Sequence, residues 1–342
     1  MKTATPSRKA LYGISSVLVG LWAFKKVNEI SGPSFEPILA ACTNPELSTM
    51  RDFVQKSGYH EYEPKVGFGI FNVLVCLITQ FLLELRNTYP EGLLVWSGVL
   101  LAALPFGVMS IYESGRGGVK KFSPIRYPII IGLLAQLFGI SVVFPLIWVP
   151  GYIWGFGNGP VSYYRFKWIV PLLIPGWLLT FIVFTAGTSS YTWTVAAGIL
   201  GGPGVTLAGA VLWLDKVPPL TIENAQRTKK RIEFISKAVA MFGAIVHWVL
   251  LWIAIRTYDS FGDFYIRVWA ESNASVKFMV IDTLVLYASV LLWIAFHDEM
   301  MAIKAFRMTP LIGFGAAPLL LLPTIEEIKT ESIEFETPKK HE

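Results

Sequence analysis

One carboxyl group stands out in this 342-residue chain because its sequence neighbours are almost all apolar. Asp282 lies about six residues into a hydrophobic run, in the stretch Phe-Met-Val-Ile-Asp-Thr-Leu-Val-Leu-Tyr. In an α-helix that position is about 9 Å below the start of the run. Because an isolated carboxylate is costly in hydrocarbon, Asp282 must be paired, hydrated or protonated. A protonated Asp282 can act as a general acid, whereas a hydrogen-bonded one can simply lock helix packing.

Glu113 is the second candidate acid and ends another hydrophobic run, in Ile-Tyr-Glu-Ser-Gly-Arg-Gly-Gly. The glycines at positions 115, 117 and 118 permit a tight turn of the backbone. Arg116 follows Glu113 at the spacing of an i,i+3 helix pair, so the two side chains can form an ion pair. The turn is no phosphate-binding loop, since no strand precedes it and the spacing is wrong. Glu113 is therefore either a site residue or a solvated residue at the membrane interface.

Three more polar residues lie within apolar runs and could support such an acid. His247 is near the middle of its run, and Asn72 and Gln136 lie in two others. Each could instead be a simple bridge between helices. If successive runs cross the bilayer in alternating directions, Asn72, Glu113, Asp282 and His247 fall in the same half of the bilayer. The alternation therefore predicts one polar pocket open to one leaflet.

The elements that must position these residues are transmembrane helices. The chain is 54% hydrophobic and 15% charged, and its mean hydropathy is +0.53, whereas a soluble domain is roughly 25% charged. This composition excludes disorder, a coiled coil and an ordinary soluble enzyme. Apolar runs long enough to span a bilayer occur at about 10–26, 66–84, 91–112, 128–148, 168–188, 191–213, 236–256 and 276–298. With a shorter run at about 309–323, the sequence predicts an all-α polytopic transmembrane helical bundle of eight or nine spans.

Residues 1–324 are expected to form this single transmembrane domain. The glutamates after residue 324 predict that 325–342 is an acidic, mobile C-terminal tail. The two cysteines, Cys42 and Cys76, are too few for a disulfide framework or a zinc site, and Cys76 is expected to pack in its apolar run. The basic cluster at 227–231 favours a cytoplasmic position for that loop and for the N-terminus, whereas the basic loop after Glu113 opposes that orientation.

The expected partners are membrane lipids and a lipophilic small molecule. The net charge of +5 suits a membrane surface, and the basic residues are too scattered to indicate a nucleic-acid partner. The sequence contains no HExxH motif, no GxxxxGK[ST] motif and no DDxxD or NSE/DTE pair. We therefore expect no metal site and no magnesium–diphosphate chemistry. Oligomeric state stays open.

Three segments together carry a family resemblance. The sequence YESGRGG at 112–118 ends one span, VVFPLIW follows at 142–148, and Asp282 comes early in a span that ends near Trp293. This order resembles the fungal polytopic integral-membrane terpene cyclases of meroterpenoid clusters, of the ascochlorin and ascofuranone type, and their relatives in indole-diterpene clusters. The resemblance covers about residues 65–300.

The resemblance implies an enzyme of secondary-metabolite biosynthesis in a membrane such as the endoplasmic reticulum. Such an enzyme cyclises a terminally epoxidised farnesyl chain on an aromatic or other polyketide headgroup, and it needs no cofactor. An acid opens the epoxide, a carbocation migrates, and proton loss or an internal nucleophile ends the reaction. By resemblance, Asp282 and Glu113 are the candidate acids. To these we add four candidates for substrate binding: His247, Asn72, Arg116 and Gln136.

Two other functions compete with this prediction. The chain could transport or carry a lipophilic metabolite, or it could be a non-enzymatic scaffold or sterol-binding membrane protein. The Gly-Gly-Pro-Gly sequence at 201–204 breaks a span, as in discontinuous transport helices. The absence of an inverted repeat and the small number of charges within the spans favour the cyclase.

Overall fold

The computed structural model describes residues 5–47, 49–59, 69–162, 165, 178, 219 and 221–331. Within these ranges the chain is helical, apart from its connecting segments and an isolated bridge between Arg116 and Val161. The prediction of an all-α fold is therefore confirmed. The predicted spans at about 168–188 and 191–213, with the glycine-rich break at 201–204, lie outside the described residues.

Apart from the short helical turns Pro124–Arg126 and Ile266–Ala270, the helices of the described part are numbered here in chain order. They are α1 (Pro6–Thr43), α2 (Met50–Ser57), α3 (Gly69–Asn87), α4 (Glu91–Ser114), α5 (Pro128–Phe138), α6 (Ile140–Gly155), α7 (Ile222–Thr257), α8 (Phe261–Tyr265), α9 (Ala274–His297), α10 (Glu299–Leu319) and α11 (Leu322–Glu331). Part of α6, Phe144–Trp148, has π-helical hydrogen bonding, and α10 is kinked at Gly313, whose φ is 91°.

Five helical segments of the described chain are long and apolar enough to cross a membrane. They are Pro6–Thr43, Glu91–Ser114, Ile222–Thr257, Ala274–His297 and Glu299–Lys329. These segments correspond to the predicted runs at about 10–26, 91–112, 236–256, 276–298 and 309–323. They support an integral membrane protein, while the count of eight or nine spans stays a prediction.

Helices α5 and α6 form a helical hairpin, so the predicted span at about 128–148 is not a single helix. With 11 residues, α5 extends about 16 Å, too short for the hydrocarbon core. The chain reverses at Gly139, whose φ of 87° is readily adopted by glycine. The two ends of the hairpin are adjacent, because Ser123 Oγ donates to the Gly151 carbonyl at 2.8 Å and Lys120 N donates to the Gly155 carbonyl at 3.0 Å.

The hairpin changes the relative direction of the spans that follow it. Helices α4 and α9 run parallel, since Asn273 Nδ2, at the start of α9, donates to Thr88 Oγ1, just before α4, at 2.6 Å. At their other ends, Lys329 Nζ donates to Glu113 at 2.6 Å and lies 6.0 Å from the Trp293 ring. The prediction that Asp282 and Glu113 share one half of the bilayer is wrong. It counted the hairpin as a full crossing.

The basic segments of the described chain gather at the end of the bundle that holds Glu113. Arg8 Nη2 in α1 donates to the Ala295 carbonyl at 2.8 Å, which places the N-terminus at this end. The start of α7 lies there as well, because Thr228 Oγ1 accepts from Val161 N at 3.2 Å. The basic loop after Glu113 connects α4 to the hairpin and contacts the end of α6 at this same end. Because 128–155 is a hairpin, the basic loop after Glu113 and the basic cluster at 227–231 lie on the same side, and the two no longer oppose each other as orientation signals.

Two smaller expectations need correction. Cys76 packs in a hydrophobic cluster as expected, but it also forms a disulfide with Cys42, 34 residues earlier, that joins the end of α1 to α3. The mobile tail does not begin at residue 325, because α11 continues to Glu331 and buries Glu326 and Lys329 among ionic partners. Residues 332–342 lie outside the described part of the chain.

Candidate functional site

A cavity of about 550 Å³ lies between α1, α3, α4, α5 and α9. Most of its wall is apolar, and several aromatic rings contribute to it: Phe24, Phe35, Phe81, Trp96, Phe106, Phe138 and Phe278. Phe81 packs against Phe35 with ring centroids 6.1 Å apart and against Phe278 with centroids 5.4 Å apart. Cavities of this size and character are typical of sites for small lipophilic molecules.

Asp282 lies in the wall of this cavity and is only 3% exposed. Its Oδ1 accepts a hydrogen bond of 3.2 Å from the backbone N–H of Ser141, in the first turn of α6. Gly139 at the hairpin tip lies close to this carboxyl group, since a Cβ there would lie 3.5 Å from Asp282 Oδ1 and, more tightly, 3.2 Å from Phe278 Cζ. None of the ion pairs found in the described ranges involves Asp282. The cavity therefore contains a buried carboxyl group with one backbone donor.

The cavity opens between α1 and α5, on the side of the bundle. The exposed residues of its lining come from these two helices: Phe24, Asn28, Glu36 and Leu39 from α1, and Gln136, Leu137 and Phe138 from α5. In a bundle that spans a membrane, this side faces lipid. A lipophilic molecule could therefore enter the cavity from the bilayer, passing Gln136 at the rim.

Glu113 and Arg116 belong to a different site, a buried ion cluster that also contains Glu326 and Lys329. Arg116 donates to both Glu113 oxygens, at 3.0 and 3.1 Å, and to both Glu326 oxygens, at 2.8 and 2.6 Å. Lys329 Nζ donates to Glu113 Oε1 at 2.6 Å and lies 5.0 Å from the centre of the Tyr152 ring. Two acidic and two basic groups make the cluster neutral overall.

Electrostatics in the cluster favour the charged state of Arg116. Burial alone would lower the pKa of its guanidinium group, but the carboxylates of Glu113 and Glu326 hold that pKa well above its ordinary value. Arg116 is therefore charged in the cluster. Glu113 is 1% exposed, and its two oxygens are occupied by Arg116 and Lys329. The arrangement suits a structural role better than proton donation.

The glycine-rich turn after Glu113 serves the packing of this cluster. A Cβ at Gly115 would clash with the side chain of Arg165. Gly117 N donates to the Pro160 carbonyl at 3.1 Å, and Gly159 N donates to the Gly117 carbonyl at 2.9 Å. The glycines thus let two loops approach closely over the ion cluster.

His247 and Asn72 are not in the cavity lining. His247 lies on α7, where Nε2 is 3.3 Å from the Pro310 carbonyl oxygen, beside the kink at Gly313. Asn72 is partly buried on α3, which lines the cavity through Leu74 and other apolar residues. The prediction of one pocket for all the polar residues is therefore wrong. The structure brings together Asp282 and Gln136, and separately Glu113 and Arg116.

Sequence reasoning missed three serines at the cavity. Ser141 supplies the N–H that binds Asp282, and Ser31 and Ser110 line the cavity with buried hydroxyls that have no hydrogen-bond partner among the described residues. For Ser141, the sequence signal was Gly139, a glycine inside an apolar run where the chain can turn. Ser31 and Ser110 resemble other serines in apolar helices, so their sequence context does not distinguish them.

Comparison of the chain with protein-family models, curated proteins and solved structures gives no match. Within the described ranges, no group of three or more His, Cys, Asp and Glu residues could hold a metal ion. The function must therefore be argued from the geometry of the cavity and from its chemistry.

Proposed function

We propose that this protein is a membrane terpene cyclase that opens the terminal epoxide of a prenylated aromatic or polyketide substrate with Asp282 as the acid. The observation that carries the proposal is a buried aspartate, with no ionic partner among the described residues, in the wall of an aromatic-lined cavity. The farnesyl chain and the headgroup class come from the family resemblance. The chemistry of the acid comes from the site.

Asp282 has the environment that a proton donor requires. An unpaired carboxylate in an apolar cavity is costly, so its neutral acid form is favoured there. One oxygen, Oδ1, accepts the Ser141 N–H, which leaves Oδ2 to carry the proton. A bound epoxide oxygen within hydrogen-bond reach of Oδ2 would receive that proton.

The reaction balances without a cofactor. As the proton moves to the epoxide oxygen, the bond between that oxygen and the more substituted carbon breaks, and a hydroxyl group and a carbocation form. A neighbouring double bond supplies two electrons to the cation and closes a ring. Loss of a proton from the final cation, or attack by an internal hydroxyl that then loses its proton, completes an isomerisation. The Asp282 carboxylate is then reprotonated.

The cavity wall suits a cationic intermediate. The rings of Phe35, Phe81 and Phe278 meet beside Asp282, and the face of an aromatic ring attracts a cation. An apolar wall also keeps water from capturing the cation. The opening between α1 and α5 suits a substrate that is dissolved in the bilayer.

We propose the endoplasmic reticulum as the membrane, with the N-terminus in the cytoplasm. The Cys42–Cys76 disulfide lies towards the end of the bundle opposite Arg8, and disulfides persist in an oxidising lumen. The basic segments at the N-terminus, after Glu113 and at 227–231 lie together at the other end, as the positive-inside rule requires.

The proposal is tested with microsomes that contain the protein and an aromatic substrate with a terminally epoxidised farnesyl chain. We expect a cyclised product of unchanged mass, and we expect Asp282→Asn to reduce its formation by at least 10²-fold. The matched control is Asp263→Asn, because Asp263 pairs with Arg267 outside the cavity. This control should keep the activity.

Three results would overturn the proposal. A product heavier by one water would indicate an epoxide hydrolase. Tight binding without any product would indicate a carrier or a binding protein. Loss of activity in Glu36→Gln with full activity in Asp282→Asn would place the acid at the rim of the cavity instead.

A further inference from the structure

The segment that connects α4 to α5 places positive charge on the surface, at the end of the bundle that holds the ion cluster. Lys120, Lys121 and Arg126 are all exposed. None of the ion pairs found in the described ranges involves them. Phe122 lies among them and is 87% exposed, with Lys121 Nζ 5.9 Å from the centre of its ring. The segment therefore combines uncompensated charge with an exposed aromatic ring.

The first half of α7, which begins at the same end of the bundle, is different. Three of its basic residues are each paired with a carboxylate: Arg227 with Glu223, Lys229 with Glu327, and Lys237 with Glu233. The opposite charges of such a pair largely cancel at a distance, so the pair attracts an anion only weakly. Among the basic residues compared here, those of segment 120–126 are the better suited to bind an anion.

Contacts with α6 hold segment 120–126 in one conformation. Lys120 N donates to the Gly155 carbonyl at 3.0 Å, and Ser123 Oγ donates to the Gly151 carbonyl at 2.8 Å. Ile125 is fully buried, and Ser123 is 6% exposed. Because this backbone is already ordered, a ligand that binds the exposed side chains costs less conformational entropy.

The segment lies where the lipid-facing surface of the bundle begins. It leads directly into α5, which starts at Pro128. On α5, Ile130, Leu133 and Leu137 are each more than half exposed, and their spacing places them on one face. In a bundle that spans a membrane, this face contacts acyl chains. The exposed ring of Phe122 suits the boundary between acyl chains and headgroups.

We propose that segment 120–126 is a binding site for an anionic phospholipid, whose acyl chains lie along the exposed face of α5. The negative headgroup compensates the charges of Lys120, Lys121 and Arg126. In the proposed orientation this end faces the cytoplasm, where the leaflet is anionic. Leu137 belongs both to the exposed face of α5 and to the cavity lining, so the bound lipid borders the opening of the cavity.

The test measures the binding of short-chain phosphatidylserine and phosphatidylcholine to the detergent-solubilised protein by native mass spectrometry. Both lipids contain a phosphodiester, but only phosphatidylserine has a net negative charge. We expect the wild type to bind phosphatidylserine more tightly. The combined variant Lys120→Gln, Lys121→Gln, Arg126→Gln should lose at least about 10-fold in affinity for phosphatidylserine, since each cation near an anionic lipid surface contributes about fivefold. Its affinity for phosphatidylcholine should stay within about twofold.

The matched control is the combined variant Arg227→Gln, Lys229→Gln, Lys237→Gln. It removes the same number of positive charges, but from residues that are already paired with carboxylates. Its affinity for phosphatidylserine should stay within about twofold of the wild type. All six substituted side chains lie at the surface, and size-exclusion chromatography checks that both variants fold. Lys121→Gln alone, with an expected loss of about fivefold, provides the same test with a smaller change.

Three results would overturn the proposal. Equal affinities of the wild type for the two lipids would show that the headgroup charge is not recognised. Equal losses in the two combined variants would show that only the overall charge of the protein matters. Inorganic phosphate is the third probe, and binding of phosphate as tight as that of phosphatidylserine would show that the site takes a free anion. None of these measurements requires turnover, so their outcome is independent of the reaction proposed for Asp282.

Discussion

The protein buries acidic side chains in two regions that solve the same physical problem differently. In the ion cluster, Glu113 and Glu326 face Arg116 and Lys329. In the cavity, Asp282 faces open space and one backbone N–H. A buried acid surrounded by counter-ions holds helices together. A buried acid in the wall of an apolar cavity can meet a molecule that binds there.

The difference also predicts how each region responds to substitution. Removing one member of a buried ion network leaves an uncompensated charge, which is strongly destabilising. Removing the charge of a lone buried acid leaves nothing uncompensated. The two regions should therefore separate stability from activity, and the following predictions run from the largest expected effect to the smallest.

Arg116→Met should have the largest effect on stability. It leaves the carboxylates of Glu113 and Glu326 close together with Lys329 alone, so we expect a loss of about 3–5 kcal/mol in the free energy of unfolding. The measurement is denaturant unfolding in detergent. Arg227→Met is the control, because the Arg227–Glu223 pair is exposed, and its loss should be barely detectable. Equal stability of the two variants would contradict the structural role of the cluster.

The disulfide should matter more to the cavity than to the ion cluster. Cys42 and Cys76 join two helices that line the cavity, α1 and α3. Cys42→Ser should lower the free energy of unfolding by about 2–4 kcal/mol, and dithiothreitol should weaken substrate binding by the wild type to the level of this variant. If reduction changes neither the free energy of unfolding nor substrate binding, the cavity does not depend on the disulfide.

Gly139→Ala tests the hairpin tip. The φ of 87° and ψ of 144° at Gly139 are strained for alanine, at about 1–3 kcal/mol, and the new Cβ would press on Phe278, which packs beside Asp282. We expect turnover to fall about 10-fold, the equivalent of about 1.4 kcal/mol. Gly58→Ala is the control with a positive φ of 72° and open space around it. Full turnover in Gly139→Ala would mean that the tip does not position the acid.

Asp282→Asn should have the smallest effect on stability. Asparagine has the same shape, and its side-chain oxygen can still accept the Ser141 N–H. We therefore expect the free energy of unfolding to change by less than about 1 kcal/mol, measured as for Arg116→Met. A loss as large as that of Arg116→Met would show that Asp282 is a structural residue.

Hydropathy was enough to predict the helical fold and the burial of Asp282, because both depend on local composition. The direction in which each helix runs through the bundle could not be predicted from hydropathy. The run at 128–148 is as apolar as a crossing helix, yet Gly139 reverses the chain within it. Hydropathy shows that a segment is apolar enough to lie in hydrocarbon. It does not show whether the segment crosses the bilayer or turns back. This single error placed Asp282 and Glu113 in the same half of the bilayer.

The partners of charged residues were also beyond sequence reasoning. The acidic neighbours of Glu326 predict a solvated tail, but Arg116, 210 residues earlier, binds both of its oxygens. The i,i+3 spacing of Glu326 and Lys329 did not reveal which surface they face. The cavity could not be predicted from the sequence for the same reason. Its wall is assembled from residues of α1, α3, α4, α5 and α9, which are far apart in the sequence.

The most direct test is the cyclisation rate per folded molecule in Asp282→Asn and in Glu113→Gln, with the folded amount determined by size-exclusion chromatography in detergent. For Asp282→Asn we predict a normal yield of folded protein and a rate at least 10²-fold below that of the wild type. For Glu113→Gln we predict a low yield of folded protein whose rate stays within about threefold of the wild type. A well-folded but inactive Glu113→Gln beside a fully active Asp282→Asn would contradict the division between a chemical and a structural acid.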